Sequence, residues 1–377
     1  MNVLITGGAG FIGSHLARQL LREGCAVTVL DSFLPQVHGG KGTLPSDLQG
    51  EVELVTGDVR DAALLRQALA GKEVVVHLAA ETGTGQSMYE VVRYESVNIG
   101  GTATLMECLV NTPGSGVAKL VVASSRAIYG EGKYRCPAHG TVYPEGRLTR
   151  DMETGLFEPR CPQCGDPVAM LPTDEASVLH PTSLYGLTKQ VQEQMTLLYA
   201  RTLGIAGYAL RYQNVYGPGQ SLFNPYTGIL AIFSSQARSN LPINIFEDGL
   251  ESRDFVYVDD AVEATWRCIS RGEVAVEAYN VGSGAATTVA ELARQIVDFF
   301  DSSSDLVVSG DFRSGDIRHN LADLTRVREA LGYEPRWRMA DGLLTFLDWA
   351  AAEGLASLDY RESLDEMKKH GLFHTPR

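Results

Sequence analysis

The stretch SLYGLTKQ sets Tyr185 and Lys189 four residues apart where a helical pattern begins, so both project from one face. A free phenol has a pKa of about 10, and an ammonium beside it favours the phenolate. That pairing suits a tyrosine acting as general base. Taken alone, Tyr-x3-Lys also occurs on exposed helices, where it is structural. Upstream, VVASSRAIYG ends an apolar run with Ser124 and Ser125, where a hydroxyl can bind an oxygen that alternates between alcohol and ketone.

A second set is built for an anion. In GGAGFIG, Gly7, Gly10 and Gly13 recur every three residues between an apolar run and a helical pattern. Glycines there permit a tight turn and let backbone approach a pyrophosphate, while the helix N-terminus offers unsatisfied N–H groups. A glycine trio is a weak signal by itself. Asp31, at the end of the next apolar run, strengthens it: an acid there accepts from the adenosine ribose and repels a 2′-phosphate, so NAD is favoured over NADP. A positively charged nicotinamide would further favour the Tyr185 phenolate.

The third set is a pair of knuckles, RCPAHG and RCPQCG, carrying Cys136, His139, Cys161 and Cys164. Cys-x2-His and Cys-x2-Cys together supply four tetrahedral ligands, and Gly140 and Gly165 allow the turns such ligands need. Structural zinc is the leading reading. A disordered polar loop with free thiols and a Cys161–Cys164 disulfide are the alternatives. With all four positions filled by protein, a metal here would have no open site for substrate.

These residues need a scaffold. NVLIT, AVTVLD, VELVTGD, EVVVHLAA, KLVVASS and GYALRY read as buried strands alternating with helical patterns, which implies a Rossmann-type, doubly wound parallel α/β sheet. The expected layout is a dinucleotide-binding domain over residues 1–216, holding a cysteine-rich zinc-knuckle insertion at 130–170. A smaller C-terminal substrate-binding lobe covers 217–377, from which 254–272 returns to the main sheet as strand and helix. The Gly- and Pro-rich stretch 32–50 reads as an exposed loop. TTVAELARQIVDFF and MADGLLTFLDWAAAEG carry amphipathic helix spacing. Cys25, Cys108 and Cys268 sit in apolar-periodic segments and read as core residues.

A net charge of −14 lacks the basic footprint of a nucleic-acid binder. An apolar run directly after Met1 without a basic flank, and the lack of any apolar stretch of about 18 residues, predict a soluble cytoplasmic protein with no membrane partner.

The motifs GGAGFIG, GDVRD, HLAA, SSRAIYG, YGLTK, RYQNVYGPG and RDFVYVDD, with Asp31 and Asn98, resemble the extended short-chain dehydrogenase/reductases of the NAD-dependent nucleotide-sugar epimerase and dehydratase group. The resemblance implies Ser125, Tyr185 and Lys189 as the catalytic set, with Lys189 also touching the nicotinamide ribose. It assigns Gly7, Gly10, Phe11, Ile12, Gly13, Asp31, Asp58, Val59, Leu78, Ala79, Ala80, Asn98, Tyr185 and Lys189 to NAD. A nucleotide diphosphate sugar would meet Ser125, Arg126, Asn214, Arg253, Arg313 and Asp316, guanidinium groups being well matched to phosphate oxygens. Arg211 and Arg318 are weaker candidates, since an arginine beside a turn usually serves a structural ion pair. His77 reads as structural, and Tyr129 and Tyr216 as aromatics near the sugar or in the core. The family's dimerising helices correspond to those starting near Tyr94 and Ser183, so a homodimer is expected.

The family's dehydratases place an Asp-Glu pair directly after the catalytic hydroxyl, to move the proton that accompanies loss of water. Here Arg126 and Ala127 stand there, and neither can shuttle a proton. A 4-epimerase needs no such pair. A sugar dehydrogenase or reductase is the next reading, and a non-catalytic NAD-binding protein the last, since Ser125, Tyr185 and Lys189 are all intact.

Overall fold

Seven strands pair into one all-parallel sheet, in the order Val276–Val281, Ala206–Tyr212, Lys119–Ser125, Val74–His77, Asn2–Thr6, Ala26–Asp31, Glu53–Thr56. The computed structural model describes residues 1–376 apart from Lys41, Pro113, Phe223, Pro225, Thr227 and 354–359. Strand order reverses between Asn2–Thr6 and Val74–His77, so the carboxyl ends of these two strands frame the crevice where such sheets bind ligands.

The strands are apolar on both faces because helices cover both. Val3 and Ile5 pack beneath Leu16 and Leu20 of the Phe11–Arg22 helix, whereas Leu4 between them faces Leu65 and Leu105 on the other side. Each fully buried Val, Leu or Ile contributes about 1.5–3 kcal/mol. Cys25, Cys108 and Cys268 lie in these layers as small buried side chains.

Six of the strands are those read from apolar runs; the seventh, VEAYNV, was hidden by its polar residues. Asn280 is fully buried within it because its carboxamide donates to Thr173 and Asp323 carbonyls and accepts from the Tyr129 hydroxyl. Of the stretch 254–272, the helix returns to the main sheet, packing against Lys119–Ser125 and Ala206–Tyr212, but the strand does not. The Ser252–Tyr257 strand pairs with Asn214–Tyr216 and Ala286–Thr288 in a separate small sheet, and the Val258–Ser270 helix packs against Phe11–Arg22. Residues 32–50 are more than an exposed loop: Pro35–His38 is a short helix, and Phe33, Leu44 and Leu48 are buried in the core.

Beyond Tyr216 the chain adds the Ile229–Arg238 helix, an Ile243–Ile245/Leu306–Val308 strand pair, and the Val289–Phe299 helix, which a Thr288/Glu291 capping box starts. The Met339–Glu353 helix follows the amphipathic spacing read there. The Tyr360–Lys369 helix then leads to Phe373–His374, which pairs antiparallel with Phe312–Arg313. The cysteine-rich segment folds as a three-stranded antiparallel sheet of Gly140–Val142, Tyr134–Cys136 and Ala169–Met170. No helix among the described residues is long and apolar enough to cross a membrane.

Candidate active site

A cavity of about 1080 Å³ opens along the carboxyl edge of the main sheet and runs into the C-terminal lobe. At one end is the glycine turn. Gly7 has φ +71°, and a Cβ there would stand 2.7 Å from the Ala79 backbone nitrogen; a Cβ on Gly13 would stand 2.5 Å from the Gly7 carbonyl. Only glycine lets this turn close against the neighbouring strand. Gly10 precedes the Phe11–Arg22 helix without a side-chain cap, so its first N–H groups are left for an anion. Gly10, Phe11, Ile12, Asp31, Asp58, Val59, Leu78, Ala79 and Ala80 line the same cavity. The Asp31 carboxylate accepts from the backbone of Ala9 and Phe33 and lies 3.4 Å from His38. Hydrogen bonds from Arg60 hold Asp58 below the usual carboxylate range. The cradle is the right shape and charge for NAD: glycine where the pyrophosphate passes and a fixed acid where the ribose ends.

Asn98 does not belong to that lining. It is fully buried, its carboxamide oxygen accepting from Glu81 N (2.7 Å) and its nitrogen donating to Glu81 O and Thr188 Oγ1. It ties the loop after Ala80 to the helix carrying Lys189, from within a π-helical segment, Glu95–Gly100.

At the centre of the cavity, Ser125 ends its strand and accepts from Ala127 N at 3.2 Å. Ser183 caps the Leu184–Leu203 helix, and Gly186 lets that helix close on the Ala127 carbonyl, which a Cβ would meet at 2.5 Å. This packing sets Tyr185 and Ser125 in the wall of the same cavity. Burial raises the Tyr185 pKa, opposed by the nearby Ser125 hydroxyl and the Arg126 charge. Lys189 is buried, which lowers its pKa to about 7, and its ammonium donates to Gln192 Oε1 at 2.9 Å. His77 sits behind it, between Thr6 and Thr102, with its pKa driven to about 3 by burial and then by Lys189. A histidine so held is a neutral structural group.

Arg126, Asn214, Arg253, Arg313 and Asp316 line the far end. Arg253 donates to the carbonyls of Ser252, Ile317 and Arg318 rather than to an acid. Burial and then the Arg253 charge lower the Arg126 pKa to about 10, so two cations face one another across this end. Burial raises the Asp316 pKa, but Arg313 and Arg253 outweigh it and hold the acid below its ordinary value. The surplus of guanidinium suits a diphosphate.

Arg211 and Arg318 are absent from the cavity wall. Arg211 is buried against Glu193, and Arg318 against Glu247, Asp248 and Glu158. Tyr129 and Tyr216 are core aromatics. The sequence reading missed Gln220, Ser221, Gln236, Asn244 and Glu251, which line the cavity and each keep a buried oxygen with no hydrogen-bond partner among the described residues. No motif marks them; only tertiary folding gathers them.

One family model matches residues 3–148 and 161–282, well over half of the chain. The chain belongs to the NAD dependent epimerase/dehydratase family. It is 38% identical to a dTDP-L-rhamnose 4-epimerase of Burkholderia thailandensis, over 93% of this chain and 95% of the relative. Its structure is similar to UDP-glucose 4-epimerase of Thermotoga maritima with UDP-glucose (TM-score 0.76, 30% identity, 94% of this chain and 99% of that one). It is also similar to UDP-glucose 4-epimerase of Thermus thermophilus in complex with NAD (TM-score 0.71, 27% identity, 94% and 100%).

The match to the epimerase/dehydratase family breaks between residues 148 and 161, inside the knuckle segment. There the ligand atoms of Cys136, His139, Cys161 and Cys164 all lie within 4.8 Å of one another. Cys136 Sγ is 3.7 Å from Cys164 Sγ and 3.6 Å from His139 Nδ1, which is 3.5 Å from Cys161 Sγ. A zinc tetrahedron has S–S edges of about 3.8 Å and S–N edges of about 3.6 Å, so the residues fit the ion. A disulfide needs about 2.05 Å, and all six cysteines are free. The segment is fastened to the lobe by Arg147, which pairs with Glu131 and Glu247 and donates to the carbonyl of Asp316.

Proposed function

We propose that this protein is an NAD-dependent nucleotide-sugar 4-epimerase that interconverts dTDP-L-rhamnose and dTDP-6-deoxy-L-talose. The observation that carries the reaction is the Ser125–Tyr185–Lys189 set beside a glycine cradle, followed by Arg126 and Ala127 in place of a proton-shuttling pair. Bound NAD would supply a hydride acceptor and return the same hydride. Tyr185 takes the proton from the sugar 4-hydroxyl and later gives it back, Ser125 holds the oxygen as it becomes a ketone, and the Lys189 ammonium favours the phenolate. Arg126, Arg253 and Arg313 hold the diphosphate, and the ketone turns over to receive hydride on its opposite face.

Choice of the sugar is supported by the Burkholderia thailandensis relative and by the pattern of AETGTGQSMYE, SLFNPYTGI and the cysteine insertion. Phe223, Pro225 and Thr227 of the second stretch lie outside the described residues. UDP-hexose or UDP-hexuronate epimerisation is the rival, supported by relatives named for UDP-glucose. An NAD(P)-dependent nucleotide-sugar reductase or dehydratase is the further alternative. Absorbance separates epimerase from reductase: an epimerase leaves added NADH unconsumed, whereas stoichiometric loss of NADH would refute the proposal.

Structural zinc at Cys136, His139, Cys161 and Cys164 completes the reading. The reading includes a cytoplasmic location and a homodimer through the helices near Tyr94 and Ser183, the dimer supported by the apolar residues they leave exposed, Val92 at 78% and Leu198 at 57%.

A further inference from the structure

A buried ion pair grips the catalytic set from outside the cavity. Tyr185, Lys189 and Glu193 recur every four residues along the Leu184–Leu203 helix, so they share one face. Glu193 is buried and is not part of the cavity wall. Its carboxylate accepts from the Ser124 hydroxyl at 2.5 Å and from Nε and Nη2 of Arg211, the latter at 2.6 Å. Ser124 and Arg211 stand opposite one another on the neighbouring parallel strands Lys119–Ser125 and Ala206–Tyr212. One carboxylate therefore pins the helix of Tyr185 and Lys189 to both strands, one residue short of Ser125.

From Arg211 the hold continues to the other flank of Ser125. Its Nη1 donates to the Tyr129 hydroxyl at 2.7 Å and to the Glu175 carbonyl at 3.1 Å. Tyr129 closes the Arg126–Tyr129 turn that follows Ser125, and its own hydroxyl donates to Asn280. The residue before Ser125 and the turn after it are thus tied to the same pair. A buried pair gains little net stability over apolar packing, so what this one supplies is geometry.

We infer that Glu193, acting through Ser124 and Arg211, is the positioning residue that fixes the Ser125 hydroxyl against Tyr185. The inference rests on the epimerase reading for its catalytic set and adds what holds that set in register. A misplacement of about 1 Å at a reacting centre costs up to about 10²-fold in rate.

The test is a double-mutant cycle of Ser124→Ala and Glu193→Asp. Both leave a carboxylate opposite Arg211, and the aspartate is a methylene too short to reach Ser124 as well. NAD content and Tm confirm that each variant is folded. The expected result is that each single variant loses kcat for dTDP-L-rhamnose about tenfold with KM unchanged, and that the double variant loses no more than either, since both remove one connection. A kcat unchanged in either single variant, a KM that rises in step with its loss, or a double variant that loses the product of the two effects overturns the positioning role and leaves the epimerase standing. Failure of NAD-loaded wild type to turn over dTDP-L-rhamnose overturns the epimerase reading and this inference with it.

Discussion

The Lys189 ammonium donates to the side-chain oxygen of Gln192 at 2.9 Å, one turn further along the same helix. Gln192 in turn donates to Thr102, whose hydroxyl donates to the Asn98 carbonyl. Lys189 is therefore held from behind by a buried chain of hydrogen bonds while it lines the cavity.

Removing that acceptor strands a buried charge. A hydrogen bond to a charged group is worth about 1.5–3 kcal/mol, so Gln192→Met lowers the Lys189 pKa further and moves the alkaline limb of the kcat profile to lower pH. Gln192→Glu restores an acceptor and moves that limb back up. Profiles identical in all three proteins would contradict the positioning role.

Tyr185→Phe deletes the proposed base without disturbing the glycine cradle. Turnover falls by about 10²–10⁴-fold while NAD content per chain is unchanged. Activity near wild type would remove Tyr185 from the mechanism.

The buried lysine also makes stability depend on pH. Its pKa is lowered from 10.5 to about 7 by burial, so between these values the unfolded chain binds more protons than the folded one. In the NAD-free protein, wild-type stability relative to Lys189→Met is flat below pH 7 and rises with pH above it. Denaturant unfolding at several pH values measures the gap; a gap that narrows in favour of Lys189→Met as pH rises would contradict the assignment.

The knuckle predicts one zinc per chain in protein purified without added metal. Cys161→Ser loses it, and because Arg147 links this segment to Asp316, KM for the nucleotide sugar rises while NAD content holds. Full folding and activity with no bound metal would sink the zinc reading.

How much of this was legible follows from where the information sits. Local chemistry was readable: Gly7, Gly10 and Gly13 announce a turn, apolar runs announce six strands, and Tyr185 and Lys189 share a helix face. The seventh strand was not, because Asn280 breaks its apolar pattern and is satisfied only by partners far away in the chain. Asn98 is the opposite case. Its motif was recognised, but a carboxamide reaching Glu81 and Thr188 spends every bond inside the protein. The orphan oxygens of Gln236, Asn244 and Glu251 carry no local signal, since what makes them a cavity wall is the packing of lobe against sheet.

The most direct test of the central claim is proton NMR of purified protein incubated with dTDP-L-rhamnose and no added cofactor. The account predicts the appearance of the carbon-4 epimer, dTDP-6-deoxy-L-talose, with catalysis sustained by bound NAD. An unchanged sugar spectrum from folded, NAD-loaded protein would contradict it.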